Sequence, residues 1–189
     1  MELLERMPPL DPVAMTDAQR RAADELTAGP RGGVKGPFIA LLRSPELMDR
    51  LQKVGEYLRY HSVIDARISE FAMLLVARHW TQQFEWATHV PLALKAGLRQ
   101  EHIDALAEGR RPLAMAPDEE VAYDLVHELH ANHGVCDATY VRATRIFGEN
   151  GLIDLLGVVG YFTTVSMVLN VAHTPAADVA GPPLVPFPR

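Results

Sequence analysis

An uncharged apolar run of 18 residues, from Leu155 to Ala172, constrains the fold more than any other part of the sequence. Its length approaches that of a membrane-spanning helix. However, small and polar residues interrupt the run, Asp154 precedes it, and no basic cluster flanks it. We therefore expect a helix that is buried within a soluble assembly. Because such a helix is apolar on nearly all sides, it needs cover from other helices or from neighbouring subunits.

Signals for helix starts and ends recur along the rest of the chain, whereas strand signals are scarce. Capping boxes are predicted at Thr16 with Gln19 and at Ser62 with Asp65, and Thr81 is predicted to cap a further helix. These signals predict an all-α bundle of seven or eight helices. The predicted helices are 16–26, 45–60, 66–80, 82–96, 100–108, 117–132, 137–147 and a long apolar one from 151 onwards.

Composition divides the chain into three parts. Residues 1–35 form an N-terminal helix followed by a loop rich in glycine, and residues 36–173 form the main helical domain. Residues 174–189 contain five prolines, so we expect an extended C-terminal arm that lies on a neighbour or is free in solution. The N-terminus has neither a basic nor an apolar segment of the kind found in secretory signals. We expect a cytoplasmic protein.

Charge and cysteine content exclude several functional classes. The formal net charge is −6 and basic residues are not clustered, which argues against nucleic-acid or anionic-membrane partners. The one cysteine, Cys136, cannot form an internal disulfide and lies in no zinc or redox motif.

The string "FEWATH" (84–89) contains the strongest candidate for chemistry. On a helix, Glu85 and His89 lie one turn apart on one face, and Gln82 shares that face. If this helix forms a hairpin with the preceding one, Glu70 can face them. Two carboxylates and a histidine between packed helices would suit proton transfer, with Trp86 excluding water.

Two other interpretations of the same residues stay open. Glu85 and His89 can form an ordinary solvated pair on a helix surface, while Glu70 pairs with Arg67. A metal site would need a third ligand such as His79 or Glu70, but the spacing matches no known metal motif, so we predict no metal.

Two weaker patterns are also present. Glu70 precedes His89 by 19 residues and Asp154 precedes His173 by the same interval, which is compatible with a degenerate internal repeat of a helical hairpin. The histidines of "VHELHANHG" (126–134) are typical of a helix surface near its C-terminus.

The stretch 44–106 resembles the carboxymuconolactone decarboxylase family, which has the AhpD-like fold. The resemblance lies in the acid Glu70, in "FEWATH", and in "ALKAGL" (93–98) followed by a short helix, and it extends more weakly over residues 36–173. The thiol-peroxidase branch of that family has two cysteines where this chain has Gln82 and Glu85. Without either thiol, dithiol–disulfide chemistry is impossible at this site, so we expect no peroxidase activity.

The resemblance to the decarboxylase branch implies cofactor-free acid–base chemistry on a small carboxylated lactone or unsaturated acid from aromatic catabolism. It implies that His89 is the general acid/base, Glu85 its partner or a second proton carrier, and Glu70 the group that orients His89. Gln82 would hydrogen-bond a carboxylate or enolate oxygen of the substrate, and Trp86 would line the pocket.

Further expectations follow from the same resemblance. Arg67 and Arg78 are the nearest cations in sequence for a substrate carboxylate, and the residues do not favour either. The family implies a homotrimer or a hexamer of trimers. The alternative function is a catalytically silent oligomer with a binding or scaffold role.

Overall fold

Within residues 4–176 and 181–187, which the computed structural model describes, the chain forms eight α-helices and no strand. The all-α prediction is confirmed. The helices are α1 (Asp17–Ala28), α2 (Pro37–Leu41), α3 (Pro45–Tyr60), α4 (Ala66–His79), α5 (Gln83–Lys95), α6 (Gln100–Ala107), α7 (Pro117–Asn132) and α8 (Asp137–Ala172).

Side-chain capping explains where several helices begin, with one correction to the prediction for α4. The predicted capping box of α1 is present, because Thr16 and Gln19 each bond the backbone of the other. Asp65 caps α4, accepting a backbone N–H of the first turn. Ser62 was wrongly predicted to share that cap. Its hydroxyl donates instead to Asp154 of α8, at 2.8 Å.

Helix α4 forms the centre of the bundle and packs against α5, α7 and α8. Its apolar side chains cover most of its faces, and Phe71 and Leu74 are completely buried. Trp86 of α5 belongs to the same core. Burial of each large apolar side chain stabilises the fold by about 1.5–3 kcal/mol, so the position of the α4–α5 hairpin is strongly determined.

Helix α8 carries the uncharged run. By length and composition it could cross a membrane, but 56% of its most apolar window is buried inside the fold. Its backbone leaves helical geometry at Gly148, where φ is 68°, a value that glycine adopts readily. The two segments on either side of Gly148 correspond to the two helices predicted from the sequence.

The repeated interval of 19 residues between an acid and a histidine does not mark a second hairpin. Glu70 and His89 lie on two different helices and are in contact. Asp154 lies within α8 and His173 ends it, so the continuous helix places them about 28 Å apart. The carboxylate of Asp154 accepts hydrogen bonds from Tyr57 and from the loop before α4.

The C-terminal arm contacts the chain's own helices over residues 181–187, which are not helical. Gln83 exchanges two hydrogen bonds with the backbone of Leu184, at 2.5 and 3.0 Å, and Arg78 donates to the carbonyl of Val185 at 2.8 Å. The expectation that the arm lies on a neighbour or is free is therefore wrong for these residues. Residues 177–180 and 188–189 of the predicted arm lie outside the described residues.

A proline inside α5 explains where the arm begins its contact. Pro91 lacks the N–H that would bond the carbonyl of Ala87, so that carbonyl has no helical donor. Gly181 lies directly against this carbonyl, and a Cβ added at Gly181 would come within 1.9 Å of the oxygen. Only glycine fits this approach without a backbone shift.

Candidate active site

Glu70, Glu85 and His89 form a contiguous trio, in which Glu85 and His89 are buried and Glu70 is partly buried. Glu70 reaches across from α4, and its Oε2 lies 2.7 Å from Nδ1 of His89. Glu85 lies one turn before His89 on α5, and its Oε2 lies 3.3 Å from Nε2. The His89 and Glu85 side chains are only 3% and 5% exposed, which excludes the interpretation of a solvated surface pair.

The other predicted partner of Glu70 has its own carboxylates. Arg67 binds Asp118 and Glu119 of α7, at 2.6 and 2.5 Å. The interpretation that Arg67 neutralises Glu70 is therefore wrong. Glu70 is left to bind His89.

The trio holds His89 as an imidazolium. Burial alone lowers the pKa of His89, but the hydrogen bonds to Glu70 and Glu85 outweigh burial and raise the pKa to about 9. At neutral pH both ring nitrogens therefore donate, one to each carboxylate. Phe162 packs edge-on against the ring, with centroids 5.0 Å apart, and helps to fix its orientation.

The Glu85–His89 side of the trio opens on a cavity of about 310 Å³, which we call the acid–base cavity. Its volume lies at the lower end of the range for small-molecule sites. Its charged and polar lining consists mainly of Arg31, Lys35, Arg59, Glu85, Thr88 and His89. Phe38, Phe84, Tyr161 and Phe162 supply aromatic walls.

The cations of this cavity were not predicted from the sequence. Arg31 and Lys35 lie in the glycine-rich loop before α2, and Arg59 lies near the end of α3. Within the described residues, none of the three has a carboxylate at salt-bridge distance. The only sequence signal for Arg31 and Lys35 was the unusual length of this glycine-rich loop, which was predicted over residues 27–38.

The predicted carboxylate anchors, Arg67 and Arg78, do not line the acid–base cavity. Arg67 is held by the two acids of α7, and Arg78 binds the C-terminal arm on another side of α4. Both are excluded as anchors in this cavity, because neither can reach it without leaving these contacts.

Gln82 and Trp86 are also absent from the lining of the acid–base cavity. The Oε1 of Gln82 accepts the backbone N–H groups of Phe84 and Glu85 and so caps α5, the role that was predicted for Thr81. Its Nε2 donates to Asn170 at 3.1 Å. Trp86 is 1% exposed and packs in the core. The structure thus gives both residues structural contacts in place of the predicted substrate contacts.

Two hydroxyl groups complete the lining. Oγ1 of Thr88 is buried and has no hydrogen-bond partner among the described residues. The Tyr161 hydroxyl lies beside Arg31 against Gly55, where a Cβ would come within 2.3 Å of it. Burial raises the pKa of Tyr161, so the phenol stays protonated and can donate to a bound oxygen.

The described residues contain no group of three His, Cys, Asp or Glu side chains arranged to hold a metal ion. The trio itself is an ion pair network in which both histidine nitrogens already face carboxylates.

The helical fold is that of AhpD-like proteins. A crystal structure described as an alkylhydroperoxidase AhpD core, an uncharacterized peroxidase-related protein from Ralstonia eutropha JMP134, superposes with a TM-score of 0.68. The match covers 88% of each chain at 14% sequence identity, so it shows a shared fold. No curated protein matches the sequence.

Part of the chain also matches a family model. Residues 45–128 match the model of the carboxymuconolactone decarboxylase family. The matched residues include the whole trio, from Glu70 to His89. The two positions at which the family's peroxidase branch has cysteines are Gln82 and Glu85, the cap of α5 and a member of the trio.

Proposed function

We propose that the protein is an acid–base enzyme, needing no cofactor, that moves a proton on a small carboxylated lactone or unsaturated acid, as a decarboxylase or isomerase. One observation carries the proposal: a buried carboxylate–imidazolium pair faces a cavity whose other charged residues are cations without carboxylate partners among the described residues. By the family resemblance, the substrate comes from aromatic catabolism.

The charge state of the trio assigns the roles. Because His89 carries a proton at neutral pH, it serves as the general acid and stabilises negative charge that develops on a substrate oxygen. Glu85 borders the same cavity and is the general base at the substrate carbon. Glu70 does not line the cavity. It is a positioning residue that holds the ring and keeps it protonated.

The cations and aromatic residues favour a flat, anionic substrate. Arg31, Lys35 and Arg59 can bind a carboxylate, and arginine does so through two parallel hydrogen bonds. Phe38 and Phe84 provide apolar walls for an unsaturated ring. The unpartnered hydroxyl of Thr88 is available to a lactone or enolate oxygen.

The test follows proton transfer directly, without a known product. A panel of small lactones and unsaturated mono- and dicarboxylic acids is incubated with the protein in D₂O, and NMR records deuterium entering at carbon and any loss of carboxylate. Glu85→Gln and His89→Gln should each reduce the rate by about a hundred- to ten-thousand-fold, because a positioned acid or base contributes that much. The melting temperature of each variant serves as the check on folding.

Two further variants make the result specific. Glu70→Gln removes a carboxylate that raises the pKa of His89, so the alkaline limb of the rate profile should move to lower pH while activity remains. Glu101→Gln changes an exposed glutamate on α6 in the same way and should leave the rate unchanged. The proposal would be contradicted if Glu85→Gln, His89→Gln and Glu70→Gln all turned over the substrate at the parental rate.

A binding protein without catalysis is the second candidate, and one observation favours it. Both nitrogens of His89 already have carboxylate partners within the fold, as in a structural ion pair. In that case acids from the panel would bind, and their affinity would depend on Arg31 and Arg59. No deuterium would enter at carbon.

A further inference from the structure

A second cleft of about 290 Å³ lies between the end of α4, the end of α6, α7 and the C-terminal arm. It shares no lining residue with the acid–base cavity. We call it the basic cleft, because its lining contains five basic side chains and no aspartate or glutamate. The basic residues are Arg78, His79, Arg110, His127 and His130.

Arg78 is a buried cation without an ionic partner. It is 5% exposed, and no carboxylate among the described residues lies within salt-bridge distance. Its terminal nitrogens donate to the carbonyls of Ala107 and Val185 and to the hydroxyl of Thr81, while its Nε is buried without a partner. Burial lowers the pKa of the guanidinium, as expected for an uncompensated charge.

His130 adds a second unpartnered group. Its Nε2 is buried and has no hydrogen-bond partner among the described residues. The ring stacks on His79 with centroids 4.0 Å apart. Burial and the neighbouring His79 and His127 lower the pKa of His130 to about 4, so at neutral pH the ring is neutral and can offer one N–H.

The remaining walls are apolar and flat. Leu75, Leu106 and Val126 line the cleft beside Tyr123, whose ring is nearly parallel to that of His127. Phe187 of the arm closes one side, with its ring 3.7 Å from the guanidinium carbon of Arg78. A planar body would fit between such surfaces, whereas a bare inorganic ion would leave them in contact with water.

The geometry points to the basic cleft as a binding site for a small aromatic or unsaturated carboxylate, with its anionic end at Arg78 and His130 and its ring against Tyr123 and Phe187. A carboxylate there supplies the negative charge that Arg78 lacks and an acceptor for His130. The site is independent of proton transfer at the trio.

The probe is 4-bromobenzoate, whose bromine locates the ligand in a crystal by anomalous scattering. We expect a bromine peak in the basic cleft, and in solution we expect shifts of the ring resonances of His79 and His130 with a saturable dissociation constant. Matched ligands separate the contributions: neutral 4-bromobenzyl alcohol and inorganic phosphate should each bind at least tenfold more weakly. A phosphate affinity equal to that of the acid would show a general anion site and overturn the proposal.

Variants of the full chain test the anchor. Arg78→Gln should weaken 4-bromobenzoate binding in the cleft at least tenfold, because a charge-assisted bond is lost. Phe187→Ala leaves the charge in place and should retain binding of the acid in preference to the alcohol. Arg145→Gln, a change at an exposed arginine outside the cleft, is the control and should have no effect.

If Arg78→Gln shows no cooperative thermal transition, His130→Leu is the deciding variant. It should bind 4-bromobenzoate at least threefold more weakly than the parent. The inference is overturned if no bromine peak appears in the cleft, or if the deciding variant binds within twofold of the parent. Because every readout is binding at this cleft, loss of the proposed catalytic function would not alter the outcome.

Discussion

At the scale of single residues, His89 is exceptional because it is a buried cation between two carboxylates. Its raised pKa ties the stability of the fold to pH. The pKa of His89 is about 9 in the folded protein and about 6.5 in the unfolded chain. Its protonation therefore stabilises the folded state fully below pH 6.5, and this contribution disappears as pH rises through 9. The contribution is on the order of 3 kcal/mol.

We therefore expect the free energy of unfolding to fall between pH 6.5 and 9.5 in the parent, and to fall much less in His89→Gln. Urea unfolding at a series of pH values measures both. The comparison between the two proteins removes the effect of other titrating groups. Identical slopes would mean that His89 is neutral in the folded protein.

The sequence predicted the trio but not the residues around it, for a physical reason. Glu85 and His89 are related by helical periodicity, and Glu70 needs only a hairpin to reach them. Arg31 and Arg59 reach the cavity through tertiary packing of a loop and of α3, which no local pattern encodes. Gln82 was misassigned because α5 begins one residue later than predicted, so its side chain caps the helix.

At the scale of elements, the C-terminal arm is fixed to α5 by close backbone contact. Gly181→Ala would place a methyl group against the carbonyl of Ala87, and backbone atoms cannot turn away as a side chain can. We expect a loss of about 1–3 kcal/mol, the usual cost of overpacking, measured by chemical unfolding.

Gly134→Ala is the matched control for that change. Gly134 is exposed between α7 and α8, and a Cβ added there would meet nothing within 4 Å, so alanine should change the free energy of unfolding by less than about 0.5 kcal/mol. Equal effects of the two substitutions would mean that the arm does not bind α5 in solution.

Helix ends were predictable wherever the signal is local. The capping box of α1, the proline starts of α3 and α7, and the break near Gly148 all follow from residue type. The arm was mispredicted because its proline content specifies an extended conformation but not its binding partner. That partner includes a carbonyl freed by Pro91, which becomes apparent only in the folded helix.

At the scale of the whole molecule, α8 presents an uncovered stripe whose residues are seven or four positions apart, a spacing that places them on one face of a helix. Ile153, Gly160, Met167 and Val171 are exposed along it. We expect a second copy of the chain to cover this stripe in a homotrimer or a hexamer of trimers, since apolar helix faces are normally buried.

Light scattering at micromolar concentration should give a mass three or six times that of the chain. Gly160→Glu places a charge in the centre of the stripe and should shift the distribution towards the monomer. A monodisperse parent monomer would contradict the expectation.

The thiol content of the whole chain predicts the absence of one activity. Cys136 is the single cysteine, is exposed, and caps α8 beside Glu128. Because a dithiol cycle needs two thiols, we expect no peroxide turnover with a dithiol reductant, and Cys136→Ser should behave as the parent in that assay. Turnover that this variant abolishes would contradict the expectation.

The contact between Gln83 and Leu184 also has a consequence for the order in which the protein folds. These residues are 101 positions apart in the chain, so the loop that joins them closes slowly and late. During synthesis the ribosome completes the α4–α5 hairpin long before it makes the arm. We therefore expect α5, which carries Glu85 and His89, to pack in the core first and the arm to dock afterwards beside the carbonyl of Ala87.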